Sequence, residues 1–164
     1  MHSRIFQIES SPIGEDSRID ENYYIGDHWF TYSIADYVAE DENRTESIEW
    51  LKAALAAGGE RIEYFSDKNG EGFILRDGFH EAYFTSEFRV FSTQLQELIE
   101  KSSPEAYADG SLQGPMCLLN EAYDDEYGFY IDCEHTGLVT LNHFLRDAKI
   151  NTRYYFGGTV DYHY

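Results

Sequence analysis

Residues 43–76 constrain the fold of this chain more than any other stretch, because they read as an amphipathic helix followed by a β-hairpin. Asn43 stands where an N-cap is expected, with Glu46 three residues later as in a capping box. Gly58 and Gly59 supply the left-handed residue that ends a helix. The helix itself is predicted from one apolar stripe at helical spacing, formed by Ile48, Leu51 and Leu55.

Residues 61–66 and 73–76 predict the two strands of the hairpin. Ile62 and Tyr64 fall on one face of the first strand and Phe65 on the other. Residues 67–72 lie between the strands and contain glycines where a turn needs a positive φ. The whole segment therefore predicts core scaffold.

The rest of the chain adds further short elements. Strands are predicted at residues 4–9, 23–25, 79–84 and 127–133. Helices are predicted at residues 32–39, from 86 or 92 to 101, from 104 to 110, at 115–126 and at 138–148. Residues 153–164 predict a last hairpin with Gly157 and Gly158 as its turn. In residues 115–126 the side chains expected in the core are Cys117, Leu118, Leu119 and Ala122.

This order of elements predicts one α+β domain over residues 1–164. We expect a mainly antiparallel sheet of about five to seven strands, with four or five helices packed on it. A chain of 164 residues with 42% hydrophobic side chains is long and apolar enough to bury a core.

Charge is the most unusual bulk property of the chain. Twelve basic residues against 31 acidic ones give a formal net charge of −19. Such a charge repels nucleic-acid phosphates and anionic lipid surfaces, so direct nucleic-acid and membrane binding are disfavoured. A basic protein partner is favoured instead.

The two cysteines, Cys117 and Cys133, form neither a disulfide framework nor a CxxC motif. A reducing, cytoplasmic location is the simpler interpretation. The first eleven residues lack the apolar stretch of a signal peptide, and no apolar run approaches the length of a membrane span.

A divalent-metal site is the first chemical candidate. Asp132, Cys133, Glu134, His135 and His143 are side chains that bind Zn²⁺ or a related ion. Their spacing matches neither HExxH nor a paired CxxC motif, and strand alternation puts Cys133 on the face opposite Asp132 and Glu134. We therefore expect no metal and no other cofactor.

Catalytic and nucleotide sites have weaker signals. Cys117 or Cys133 with a histidine would make a nucleophile–base pair, but no GxSxG elbow is present. The loop at residues 69–72 lacks the P-loop lysine, and two flanking acids would repel a phosphate. No catalytic residue is assigned.

Acidic clusters interspersed with tyrosines are the remaining candidate site, at residues 15–24, 36–42 and 123–127. Tyrosine offers a large rigid contact area, and carboxylates steer a basic partner. Solvated loops and helix caps explain the same aspartates. The residues predicted to contact a partner are Tyr23, Tyr24, Asp36, Tyr37, Glu40, Asp41, Glu42, Tyr123, Asp124, Asp125, Glu126 and Tyr127.

Three functions follow from these patterns. The favoured one is a non-catalytic acidic inhibitor, of the immunity or anti-defence type found in bacteria and phages, that binds a basic protein and possesses the charge for nucleic-acid mimicry. The second is a small metal-dependent hydrolase using Asp132, Glu134, His135 and His143. The third is a structural or oligomer-forming module that pairs through the tyrosine-rich strands of residues 154–164.

Overall fold

The computed structural model describes residues 1–25 and 29–164, without the side chain of Asp124. In this part of the chain, seven strands form one open, mostly antiparallel sheet, and helices pack against it. The predicted α+β class is confirmed. The strands are β1 (His2–Glu9), β2 (Tyr37–Glu40), β3 (Ile62–Asp67), β4 (Gly70–Leu75), β5 (Tyr130–Cys133), β6 (Gly137–Thr140) and β7 (Arg153–His163).

Six α-helices are present among the described residues. They are α1 (Trp29–Ser33), α2 (Arg44–Leu55), α3 (Phe79–Lys101), α4 (Pro104–Asp109), α5 (Gln113–Asp124) and α6 (Leu141–Asp147). Short 3₁₀ helices occur at Glu15–Ser17, Glu21–Tyr23 and Ala56–Arg61.

Strand β7 organises the sheet, whose order is β3-β4-β7-β1-β5-β6. One side of β7 pairs with β1 along its length, and the other side pairs with β4 and then with β2. The β1–β5 pair is parallel, whereas the other pairs are antiparallel. The last residues of β7 therefore lie between the start of β1 and the start of β2.

The core has two parts, one on each face of the sheet. The larger part packs α2, α6 and the start of α3 against the sheet, and includes Leu51, Phe73, Phe79 and Leu145. The smaller part lies under α1 and the segment before it, and includes Tyr24, Phe30 and Tyr162.

The predicted helix and hairpin are both present. In α2, Ile48, Leu51 and Leu55 are buried, as their spacing predicts. The Asn43 side chain accepts a hydrogen bond from the backbone N–H of Glu46, so the N-cap is confirmed. The reciprocal bond of a capping box is not formed, because the Asn43 backbone N–H donates to Asp41 and Glu46 accepts from the Asn43 side-chain amide. Strands β3 and β4 pair from Ile62↔Leu75 to Asp67↔Gly70, which leaves a two-residue turn.

Replacing Asn43 by alanine should lower the free energy of unfolding by about 1 kcal/mol, because the first turn of α2 loses its acceptor. Urea unfolding monitored by circular dichroism measures the change. Asn43→Asp is the control, since aspartate caps equally well and should keep wild-type stability. Equal midpoints for Asn43→Ala and wild type would contradict this role of the cap.

The strand predicted at residues 79–84 is wrong, because these residues form the first turns of α3. Phe79 and Tyr83 stack with ring centroids 5.6 Å apart and are the buried residues of that helix. Apolar residues four apart in this run fit a helix as well as a strand. In the structure α3 packs on the 3₁₀ helix Ala56–Arg61, where the Phe79 ring lies against Gly58, and on α5.

The predictions for residues 23–25 and 32–39 are also wrong. Residues 23–25 follow a 3₁₀ helix that ends at Tyr23 and form no strand. The helix predicted at residues 32–39 is replaced by the end of α1 and by strand β2. Leu138 and Val139 likewise belong to β6, so α6 begins only at Leu141. Strands β2 and β6 lie at the margins of the sheet. Their pairing with β7 and β5 depends on residues distant in sequence, so the periodicity of a short segment does not predict it.

The predicted hairpin at residues 153–164 is wrong, since the run is the single strand β7. Phe6 pairs with Thr159 and Ile8 with Phe156, so Gln7 stands opposite Gly157 and Gly158 in a β-bulge. A Cβ on Gly158 would lie 2.1 Å from the backbone oxygen of Ile19. The two glycines therefore allow the backbone of the loop before α1 to lie directly against β7, and they do not form a turn.

Candidate functional site

Two of the predicted acidic–tyrosine clusters flank the end of β7, one on each face of the sheet. Tyr37 of β2 stacks on His163, with ring centroids 5.0 Å apart and planes 4° from parallel. Asp36 Oδ2 lies 3.2 Å from Nδ1 of the same histidine. The side chain of Asp36 is 71% exposed, and Tyr37 is 48% exposed.

Tyr127, which follows α5, stacks on Tyr164, the residue after His163. Its ring lies 4.7 Å from that of Tyr164, with an interplanar angle of 14°. A cavity of about 300 Å³ opens beside this pair and is lined by Glu121, Asp125 and Glu126. Tyr127 remains 42% exposed.

His163 and Tyr164 are consecutive, so residues 36–37 and 126–127 flank the same strand end from opposite faces of the sheet, although about ninety residues separate them. We call Asp36, Tyr37, Glu126, Tyr127, His163 and Tyr164 the sheet-end surface. His2 belongs beside it, since its ring lies 5.0 Å from that of His163. Neither histidine was predicted, and Tyr164 was predicted only as part of the C-terminal tyrosine-rich run, because their position here depends on the pairing of β1 with β7.

Glu40 and Glu42 extend the negative charge along β2, which is an edge strand in the described part of the sheet. Both are exposed and line a cavity of about 330 Å³ with Glu46, Asp161 and Arg4. This row of carboxylates runs from Asp36 toward the N-terminus of α2. It supplies a negatively charged border to the sheet-end surface.

Two predicted contact residues are buried and cannot reach a partner in this conformation. Tyr24 is fully buried, and its hydroxyl donates a hydrogen bond to Asp132. The Asp41 side chain is only 2% exposed and lies in a network with Arg4 and Thr159. Both were predicted at the surface because neighbouring residues are acidic, but in the structure both side chains are buried.

The pKa of Asp41 reflects this network. Burial alone raises the pKa of the carboxyl, but hydrogen bonds from Thr159, Ser47 and the Asn43 backbone outweigh it, with help from the Arg4 charge. The net effect lowers the pKa below its ordinary value. Asp41 is therefore a structural anion that ties β2, α2 and β7 together.

Tyr23 lies on a different surface, at the mouth of an acidic cleft of about 690 Å³. The cleft also contains Arg18 and His135. Its carboxylates come from the β1 end, the following loop and the β5 end, and are Glu9, Asp16, Asp20, Asp132 and Glu134. Burial raises the pKa of Glu9; a hydrogen bond from the Glu134 backbone N–H opposes this rise, and the Glu134 carboxylate adds a smaller increase.

The residues of the metal hypothesis are only partly assembled. Asp132, Glu134 and His135 line the acidic cleft, whereas His143 lies on α6, 3.8 Å from Asp147. Among residues 1–25 and 29–164, no three His, Cys, Asp or Glu side chains are grouped closely enough to hold a metal ion. Cys133 is buried as predicted, and burial raises the pKa of its thiol.

Comparison with known proteins adds no further constraint. The chain matches no protein-family model, no curated protein and no solved structure. The interpretation of its surfaces therefore rests on the geometry and charge of its own residues.

Residues 123–125 lie at the junction of the sheet with α5. Asp125 caps α5 with a left-handed φ of 53° and is half-buried. The side chain of Asp124 lies outside the described part of the structure. Tyr123 is 69% exposed and faces α3, where its ring lies 5.7 Å from that of Phe91.

The predicted burial of α5 is wrong. Cys117 is exposed, Leu118 is 49% exposed, and Leu119 and Ala122 are only partly covered. Helix α5 contacts α3 rather than the sheet, so its apolar face lacks a second layer. In the described ranges, none of the helices is both long and apolar enough to cross a membrane.

Proposed function

We propose that this chain is a non-catalytic acidic binding protein, an inhibitor of the immunity or anti-defence type, that engages a basic protein partner through the sheet-end surface. The observation that carries the proposal is that Asp36 and Tyr37 on one face of the sheet, and Glu126 and Tyr127 on the other, flank the end of β7. Aromatic rings ringed by exposed carboxylates are typical of hot spots that bind a cationic partner.

The stacking contacts support a binding role for these rings. Tyr37 and Tyr127 are each held against a neighbouring ring, so less rotamer entropy is lost when a partner covers them. The exposed carboxylates of Glu40 and Glu42 follow Tyr37 along the chain and supply long-range attraction. A row of carboxylates is also what nucleic-acid mimicry requires.

The other two hypotheses gain less support. Strand β7 has neighbours on both sides, so the tyrosine-rich run offers no free edge for oligomerisation by strand pairing. The hydrolase hypothesis lacks a convergent set of side chains, because His143 stands apart on α6. A cytoplasmic location is proposed from the two unpaired cysteines.

A capture experiment tests the proposal. The tagged protein is incubated with host lysate, bound proteins are identified, and the affinity of the purified partner is measured at about 50 and 300 mM salt. We expect a basic partner whose affinity falls with salt. The double variant Asp36→Asn, Tyr37→Ser should bind it roughly 10- to 100-fold more weakly, as expected for a hot-spot tyrosine with its adjacent charge.

The matched control changes the same residue types elsewhere. Tyr64 on β3 is 39% exposed, and Asp77, which follows β4, is exposed. Tyr64→Ser with Asp77→Asn should bind like wild type. Binding that is indifferent to salt, or equally weakened by both double variants, would contradict the proposed surface.

A further inference from the structure

The C-terminal part of α3, together with α4 and α5, forms a helical arm over residues 84–124. The fully buried residues of α3 are Phe79 and Tyr83, both in its first two turns. No described side chain of residues 84–123 is fully buried. Helices of this length are stabilised by covering an apolar face, and on the arm the described part of the chain leaves such a face open.

On α3 this uncovered face contains three large apolar side chains. Phe88 is 64% exposed, Leu95 is 37% exposed and Ile99 is 65% exposed. They stand at i, i+7 and i+11, so they lie on one side of the helix. Single exposed apolar residues need no explanation, but an aligned set indicates an interaction surface.

Helix α5 extends the same face. Tyr123 contacts Phe91, which in turn lies 6.4 Å from Phe88 between ring centroids. Met116 precedes Tyr123 by seven residues and therefore shares its side of α5; it is 58% exposed. We call Phe88, Leu95, Ile99, Met116 and Tyr123 the arm patch.

The arm has the geometry of an incomplete helical bundle. Helix α5 returns along α3, since Tyr123 lies near Phe91 while Glu87 and Asp125 line one small cavity at the base. Two antiparallel helices leave a groove along their common face. The spacing of the α3 stripe alternates between four and three, which is the repeat of left-handed bundles: Phe84, Phe88, Phe91, Leu95 and Leu98.

The charge of the arm selects what fills the groove. Residues 84–124 contain two basic side chains, Arg89 and Lys101, and the latter is paired with Glu97. Against them stand seven acidic residues: Glu87, Glu97, Glu100, Glu105, Asp109, Glu121 and Asp124. A second copy of the arm or an anionic lipid surface would meet this charge with repulsion, whereas a basic helix would meet attraction.

We propose that the groove between α3 and α5 binds a basic amphipathic helix of the partner protein, which completes a three-helix bundle over the arm patch. This inference rests on the proposed function, because it assumes a basic partner and names the element recognised. The apolar side of the incoming helix would cover Phe88, Leu95 and Ile99, and its lysines or arginines would face the carboxylates on either side.

Synthetic peptides test the inference before the partner itself is identified. The probe is a 20-residue peptide of leucine and lysine with the leucines on one helical face. A scrambled peptide of the same composition lacks the apolar helical face. A version with glutamine in place of lysine keeps that face but lacks the positive charge. Affinities for the full-length protein are measured by fluorescence anisotropy.

Two single variants form a matched pair of equal chemistry. Ile99→Ser changes the arm patch, and Ile25→Ser changes an isoleucine that is 60% exposed far from the arm. We expect Ile99→Ser to weaken binding of the amphipathic leucine–lysine peptide about tenfold, with Ile25→Ser unchanged. Circular dichroism shows whether both variants keep the wild-type helix content, and Tyr123→Ser provides a second patch variant.

The outcomes separate this inference from the proposed function. Equal binding of the scrambled and amphipathic peptides, or no effect of Ile99→Ser and Tyr123→Ser, would overturn the groove while leaving a basic partner intact. Amphipathic binding that is equally tight without lysines would support the groove but overturn the basic partner. A dimer that dissociates on Ile99→Ser, or patch-dependent binding to phosphatidylcholine vesicles, would overturn the helix as occupant.

Discussion

Replacing Asp41 by alanine should lower the free energy of unfolding by about 3–5 kcal/mol, the range for removing one partner of a buried ion pair. The Asp41 carboxylate accepts a hydrogen bond of 2.6 Å from the Thr159 hydroxyl and one of 3.1 Å from the Asn43 backbone. It also lies 3.7 Å from the Arg4 guanidinium. The variant loses all three contacts and leaves their donors without this acceptor.

Arg4 sets where in that range the loss falls. Its guanidinium also pairs with Asp161 and lies 5.0 Å from the centre of the Trp50 ring. Because Arg4 keeps these contacts, we expect the lower half of the range. Chemical denaturation of Asp41→Ala beside Asp36→Ala measures it, since the exposed Asp36 should change stability by less than about 0.5 kcal/mol. Similar losses in both variants would exclude a special role for Asp41.

The same carboxylate predicts a pH dependence. Its pKa is lower in the folded protein than in the unfolded chain, so the unfolded state binds the proton more tightly. The stabilisation is therefore fully present above the unfolded value of about 3.9 and is lost as pH falls through the lower folded value. The stability difference between wild type and Asp41→Asn should shrink below about pH 4. A constant difference at pH 7 and pH 3 would contradict this.

Replacing Gly158 by alanine should cost about 1–3 kcal/mol, since overpacking a well-packed interior has a penalty of that size. The new Cβ would lie 2.1 Å from the Ile19 carbonyl oxygen and 2.8 Å from its nitrogen. Neither atom can rotate away, because both belong to backbone. Gln7 holds the two segments together, accepting hydrogen bonds from the N–H groups of Ile19 and Gly158 at 3.0 Å each.

Gly14 is the matched control for Gly158→Ala. Its φ of −69° and ψ of 155° suit alanine, and the nearest atom to a Cβ there, beyond its chain neighbours, is the Ser17 hydroxyl oxygen at 4.0 Å. Gly14→Ala should therefore change the free energy of unfolding by less than about 0.5 kcal/mol. Limited proteolysis should cut the loop before α1 faster in Gly158→Ala. Wild-type stability and loop protection in that variant would contradict the tight packing.

Elements stabilised by neighbouring residues were predictable. The α2 cap, its buried stripe and the β3–β4 hairpin depend on contacts within about ten residues, and all were predicted. Ser103 likewise caps α4 before Pro104, and Gly110 ends it. Local hydrogen bonds and the periods of helix and strand are written directly in the order of side chains.

The wrong predictions concern residues whose conformation or burial depends on contacts with distant parts of the chain. Gly157 and Gly158 look like a turn in isolation, but Gln7 and Ile19 approach them from more than a hundred residues away. Tyr24 and Asp41 look like surface residues because their neighbours are acidic, but Asp132 and Arg4 turn them inward. A sequence window contains no information about those partners.

The sequence by itself determined the α+β class, the helix and hairpin at residues 43–76, and an excess of negative charge that repels phosphates. Only the tertiary structure decided that residues 36–37 and 126–127 flank one strand end, and that the α3–α5 arm keeps an uncovered apolar face. The physical reason is the distance along the chain over which each interaction acts. Propensity and capping act between neighbours along the chain, whereas a binding surface is assembled by sheet register and by which faces the core leaves open.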